Sequence, residues 1–178
     1  EERPEVISIH GRTLAQMYRG RADWDAIGRA AKRVRATSTL VLGNGDVESM
    51  DDLVRKVRDT HVHGALVGRG ALGNPWVFRS KAWAKAQVHG SVSTEPLYDV
   101  SLQERFRVAL EHARYFESLG GASRFSAMRK HLGWYCTGFF KAAEVRSQMF
   151  RATGSYDVER ILDRVLVDVQ EPVSGLPA

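Results

Sequence analysis

Two glycine-rich breaks, each closing a short apolar run, constrain this chain more than any other feature. Leu40-Val41-Leu42 runs into Gly43-Asn44-Gly45-Asp46. Gly64-Ala65-Leu66-Val67 runs into Gly68-Arg69-Gly70-Ala71-Leu72-Gly73-Asn74-Pro75-Trp76. An apolar run that stops on small residues reads as a buried strand whose following loop lets the backbone approach a ligand. Between the two lies a helical stretch. Ser49 suits its cap, and Asp51 and Asp52 suit its first turn. Leu53, Val54 and Val57 are expected to face a sheet. A strand, a helix and a second strand of this kind make a parallel crossover, which places both loops at the same edge of the sheet.

The same unit repeats upstream. Glu5 to Ile9 reads as a strand running into His10-Gly11-Arg12-Thr13. Asp23 to Arg35 reads as a helix with Trp24, Ile27, Ala30, Ala31 and Val34 on one face. The third strand is expected over Ala65–Val67, and Val77 to Val88 continue as helix. After a linker at 89–96 the periodicity is only helical. Ser101-Leu102-Gln103-Glu104 is a capping box opening a helix that stops at Gly120-Gly121. Further helices are expected from Ser123 to Tyr135, Lys141 to Ala152 and Asp157 to Val169, as a small bundle. The expected organisation is α/β: residues 1–98 as the last three βα units of a (β/α)8 barrel plus linker, 99–170 as an all-α domain, and 171–178 as a flexible tail. Three strands cannot close a barrel, which takes eight strands and about 250 residues.

Barrels of this type place their chemistry at the carboxyl ends of the strands, often with a phosphate held by the loops after the last two strands and a short extra helix. Asn74-Pro75 fits the opening of such a helix. Gly43, Gly45, Gly68 and Gly70 would let backbone N–H groups point at an anion, and Arg69 adds a charge-assisted contact. His10 and Arg12 fall at the same edge, placed to hold a flavin ring and an anionic or carbonyl-bearing substrate. His61 and His63 precede the third strand, so they read as surface residues at the opposite end. The one cysteine, Cys136, allows neither an internal disulfide nor a cysteine-based zinc site. It reads as a small core residue, and no metal site is expected.

Charge separates the two halves of the chain's helical part. Residues 123–154 carry Arg124, Arg129, Lys130, Lys141, Arg146 and Arg151 against one acid, Glu144, an excess equal to the whole chain's +5. Residues 155–178 carry an acidic excess. A basic block beside an acidic one suits a directed anionic partner. Aromatic residues interleave with the basic ones, as on nucleic-acid surfaces. Most of Phe125, Trp134, Tyr135, Phe139, Phe140 and Phe150 nevertheless read as bundle packing, which leaves Arg124, Arg129, Lys130 and Lys141 for the partner. No apolar run approaches the ~20 residues of a membrane span, the first residues lack a signal-peptide pattern, and the cytoplasm is the expected compartment.

The combination resembles the tRNA-dihydrouridine synthases, most closely their bacterial B-type branch. The matching stretches are Ser8-Ile9-His10-Gly11-Arg12-Thr13 with Gln16 and Tyr18, Ala22-Asp23-Trp24, Gly43-Asn44-Gly45-Asp46, Val67 to Trp76, and Met128-Arg129-Lys130-His131 with Trp134-Tyr135. The resemblance runs from His10 to about Arg151. It implies a flavin-containing (β/α)8 barrel followed by a helical tRNA-binding domain, monomeric when complete. By resemblance, Asn44, Gly45, Asp46, Gly68 and Arg69 fall on FMN-binding segments, and His10 on the histidine beside flavin and target uracil. The implied reaction reduces the C5–C6 double bond of a tRNA uridine: NADPH reduces FMN, hydride passes to C6, and a cysteine protonates C5.

In that family the cysteine follows an Asn-x-Gly-Cys-Pro motif, and a lysine on the strand before His10 contacts the flavin. Neither occurs in these 178 residues. The chain alone is therefore expected neither to hold FMN tightly nor to reduce tRNA. Two other readings share parts of the pattern: an FMN barrel oxidoreductase acting on a small molecule, and a non-catalytic RNA-binding remnant.

Overall fold

The computed structural model describes residues 4–91 and 99–170. These fall into two compact units, 4–71 with 75–91 and 99, and 72–74 with 100–170. Residues 92–96 of the expected linker and the expected tail (171–178) lie outside the described residues.

In the first unit the strands are β1 (Val6–His10), β2 (Leu40–Asn44) and β3 (Gly64–Leu66), all parallel and in that spatial order. Helix α1 (Trp24–Val34) connects β1 to β2, and α2 (Met50–Thr60) connects β2 to β3. The side chains of Asp23 and Ser49 accept hydrogen bonds from the N–H groups of Ala26 and Asp52 and so start these helices. The register sets His10 beside Asn44 and Asn44 beside Leu66. All three carboxyl tips therefore end in one row, and their loops share one edge.

Side chains alternate across the pleat. Ile9, Val41 and Ala65 pack with Ile27, Ala31, Val57 and Val62 beneath α1 and α2. The other face carries His10 and Asn44, together with Leu40 and Leu66. A second cluster joins Met50, Val54, Val77 and Ala84, with half-buried Leu53 touching both. Val54 thus turns toward the segment after β3 rather than the sheet, because a step of ~100° per residue carries it off the face that Val57 presents. The third strand begins and ends one residue earlier than expected. Pro75–Ser80 is a 3-10 helix, and regular helix α3 begins only at Lys81, ending at Val88.

The second unit is helical: α4 (Leu102–Phe116), α5 (Ser126–Tyr135), α6 (Ala142–Met149) and α7 (Ser155–Gln170). Ser101 accepts from the N–H of Glu104, and the chain leaves helical geometry where expected, with Gly120 at φ 78°. Phe106, Met128, Leu132, Met149 and Val158 form its buried centre. Three helices start differently from expectation. Helix α5 opens at Ser126 rather than Ser123, after a 3-10 turn at Ala122–Arg124. Lys141 adopts a left-handed φ of 59°, so α6 opens after it. Helix α7 opens at Ser155, whose N–H donates to Glu117, while Asp157 accepts from the N–H and hydroxyl of Thr153. Phe125 and Tyr135 pack as expected, and Phe139 lies edge-on to Phe106 at 5.4 Å. Phe140 does not pack; it is 72% exposed. No helix among the described residues is long and apolar enough to cross a membrane.

Candidate functional site

The loops after β1, β2 and β3 are bound into one frame. The N–H of Gly11 donates to the Asn44 carbonyl at 2.9 Å, and the N–H of Asp23 to the Gly11 carbonyl at 2.7 Å. Glycine is required at position 45, where φ is 123° and a Cβ would stand 2.6 Å from that of Ala22. It is required at 70 for a different reason: a Cβ there would meet the Val47 carbonyl at 2.5 Å. Trp24 fills the space above Gly43, and its indole N–H donates to the Gly45 carbonyl at 2.8 Å. The Lys56 ammonium lies 5.5 Å from the centre of a Trp24 ring and bonds the Asp46 carbonyl and the Asp52 carboxylate. Two successive carbonyls of the loop are thereby fastened from α1 and α2.

Asp46 is the centre of the frame. Its carboxylate accepts from Arg12 Nη2 at 2.6 Å, the Ala22 N–H at 2.8 Å and Arg69 Nη2 at 2.7 Å. Burial raises its pKa, but these hydrogen bonds and the two guanidinium charges outweigh that and hold the carboxyl below its ordinary value. Arg12 also donates to the Gly20 carbonyl at 2.7 Å, and its side chain is only 5% exposed. Its Nη2 ties the first loop to the second, while its buried Nε has no hydrogen-bond partner among the described residues.

These loops surround a cavity of about 450 Å³. Its wall contains His10, Asn44, Gly45, Asp46, Gly68 and Arg69, the residues singled out for a cofactor, together with Arg12. A Cβ at Gly68 would meet no atom within 4 Å, so the backbone there borders open space. The Arg69 side chain is 58% exposed and offers N–H groups besides the one held by Asp46. His10 Nδ1 accepts from the Arg12 N–H at 3.2 Å, which leaves the neutral ring's proton on Nε2. Tyr18 and Glu48 also line the cavity, and the Arg69 guanidinium stands 5.7 Å from the Tyr18 ring centre. Sequence reasoning gave neither a site role. Tyr18 lay inside a matching stretch, whereas nothing marked Glu48.

Cys136 is buried as expected. It donates to the Leu132 carbonyl, and burial pushes its thiol up to about 11. His61 caps α2 with φ 55°, and exposed His63 accepts the Val41 N–H on Nδ1 at 2.9 Å, a structural task beyond a surface residue's. Of the cations expected to meet RNA, Arg124 and Lys130 are exposed. Arg129 is half-buried, with Nε donating to the Ala152 carbonyl at 2.8 Å. Exposed Lys141 lies 5.6 Å from the Phe140 ring centre.

The chain is 33% identical over 175 residues to a probable tRNA-dihydrouridine synthase of Mycobacterium tuberculosis (strain CDC 1551 / Oshkosh), covering 97% of this chain and 43% of the relative. It is 30% identical over 162 residues to probable tRNA-dihydrouridine synthase 1 of Synechocystis sp., covering 91% and 43%. It is 36% identical over 132 residues to tRNA-dihydrouridine synthase B of Pseudomonas putida, covering 74% and 36%. The chain thus spans about 43% of the length of the first of these relatives. The family model described as Dihydrouridine synthase (Dus) matches residues 4–171, and the chain belongs to that family.

Proposed function

We propose that the cavity at the strand tips is the FMN-binding part of a tRNA-dihydrouridine synthase, within a (β/α)8 barrel to which residues 1–98 contribute three βα units. Residues 99–170 are the RNA-binding part. The observation that carries this reading is the convergence of Asn44, Gly45, Asp46, Gly68 and Arg69 on one cavity beside His10. The wall fits a phosphorylated flavin: backbone borders open space at Gly68, and Arg69 keeps donors for an anion. Bound there, FMN supplies, at NADPH's expense, the hydride that C6 of a uridine accepts.

The chain's own residues position and polarise. His10, in the cavity wall, would hold a carbonyl of the bound flavin through Nε2–H. Arg69 neutralises phosphate charge. Arg12 and Asp46 fix the loops, and Trp24 and Lys56 hold the carbonyls of residues 45 and 46. Cys136 takes no part, because its thiol is buried and hard to ionise. We assign the proton for C5 to no group of this chain. The small-molecule alternative explains the cavity equally but gives the basic helical part no task.

Flavin fluorescence titration tests the reading. FMN should bind the chain weakly and riboflavin, which lacks phosphate, several-fold more weakly; Arg69→Ala should abolish the difference. No tRNA reduction with NADPH is expected from these residues alone. Equal binding of FMN and riboflavin would overturn the phosphate assignment.

A further inference from the structure

We infer that a second anion site lies in the helical unit, where the end of α6 meets α7, and that it takes a backbone phosphate of RNA. A cavity of about 320 Å³ there is lined by Arg151, Arg160 and Arg164, with Asp157 as the acid. Along the sequence, Arg160 and Arg164 sit in the acidic segment and look neutralised. In the helix they are four residues apart and stand on one face, opening onto the cavity beside Arg151. Glu159 pairs with Arg114 of α4 at 2.7 Å, and Asp157, which accepts twice from Thr153, is one carboxylate in the wall against three guanidinium groups. The N–H of Ser155 is already given to Glu117. The site therefore depends on guanidinium groups rather than on the start of α7.

One further observation favours RNA over a free ion. Tyr156 is 69% exposed and has the Arg160 guanidinium 5.9 Å from its ring centre, which sets a stacking surface beside the charge. Arg129 reaches the same corner from α5 by donating to the carbonyl of Ala152, itself part of the cavity wall. Arg129 is thus a positioning residue for this site, and Arg151, Arg160 and Arg164 are the contacts. The inference rests on the RNA-binding reading of residues 99–170 and names where on that part a phosphate is held.

The test is the salt dependence of binding of an unmodified tRNA transcript to the whole chain. Each phosphate neutralised contributes about 0.7 to 0.9 to the slope of log affinity against log salt. The Arg160→Ala/Arg164→Ala variant should reduce that slope by about 1 and weaken binding roughly tenfold at low salt, with helical circular dichroism and FMN titration unchanged. Arg160→Lys/Arg164→Lys should recover most of the slope. If the chain binds tRNA and the alanine variant keeps the full slope, this site is refuted while the RNA-binding reading stands. Failure of the unaltered chain to bind tRNA at low salt would overturn both. Competition by inorganic phosphate as effective as that by tRNA would show a site for the free ion and refute the RNA assignment.

Discussion

Asp46→Asn is the perturbation that isolates the frame of the strand-tip cavity. Asparagine keeps the size of the side chain and tolerates the left-handed φ of 50° at this position, so the backbone is not itself strained. What changes is charge and acceptor capacity. The carboxylate accepts from Arg12 and Ala22 on one oxygen and from Arg69 on the other; an amide can accept on only one side and turns N–H groups toward the other. Arg12 is 5% exposed, so its charge would remain buried without a counter-ion. Breaking a buried pair in this way costs about 3–5 kcal/mol. Asp46 is itself 20% exposed and the amide keeps some hydrogen bonds, which lowers the expectation to about 2–3 kcal/mol. Native-state hydrogen exchange at the protected amides of β2 reads this for the sheet unit alone. Arg12→Met should cost less than the sum suggests when combined with Asp46→Asn, because removing both charges leaves nothing uncompensated. A coupling of about 1–3 kcal/mol is expected. Additive effects, or a loss below about 0.5 kcal/mol for Asp46→Asn, would refute the view that this carboxylate holds the loops together.

Three further outcomes follow from particular contacts. Gly45→Ala should destabilise the sheet unit by about 1–3 kcal/mol, since it combines a φ of 123° with a 2.6 Å collision at Ala22, whereas Gly68→Ala, with open space, should leave hydrogen exchange unchanged and weaken FMN. Burial lowers the pKa of His112, and burial with the charges of His112 and Lys130 lowers that of His131. The folded unit thus disfavours their protonated forms, so its stability should be complete above about pH 6.5 and fall as pH drops below that value; His112→Gln should flatten a plot of urea midpoint against pH. The Cys136 thiol, raised to about 11 and 1% exposed, should resist a disulfide reagent in the native chain and react on unfolding.

The parts of the fold that local chemistry decides were readable from the sequence. Apolar runs broken by glycine marked β2 and β3, and Ser49 and Ser101 marked two helix starts through caps that the structure contains. Parallel pairing followed from the crossovers, and it brought His10, Asn44 and Gly68 to one edge. Less readable was what depends on residues far apart in sequence. Nothing near Arg12 announces that it will be buried against Asp46, because the partner lies 34 residues away on another loop. Linear charge blocks also do not show which charges meet in space: the periodicity of α7 sends Arg160 and Arg164 to the cavity shared with Arg151, and sends Glu159 to Arg114. Phe140 looked like packing, yet it lies on the surface beside Lys141, since hydrophobic character alone does not say which side of a turn faces inward.

In the proposed function, backbone and side chains from adjacent strand tips meet one phosphorylated cofactor. Amide NMR of the chain during titration with FMN measures this most directly. The resonances of Gly45, Asp46, Gly68 and Arg69 should shift together along one binding curve. Shifts confined elsewhere, or none at these four amides at saturating FMN, would contradict it.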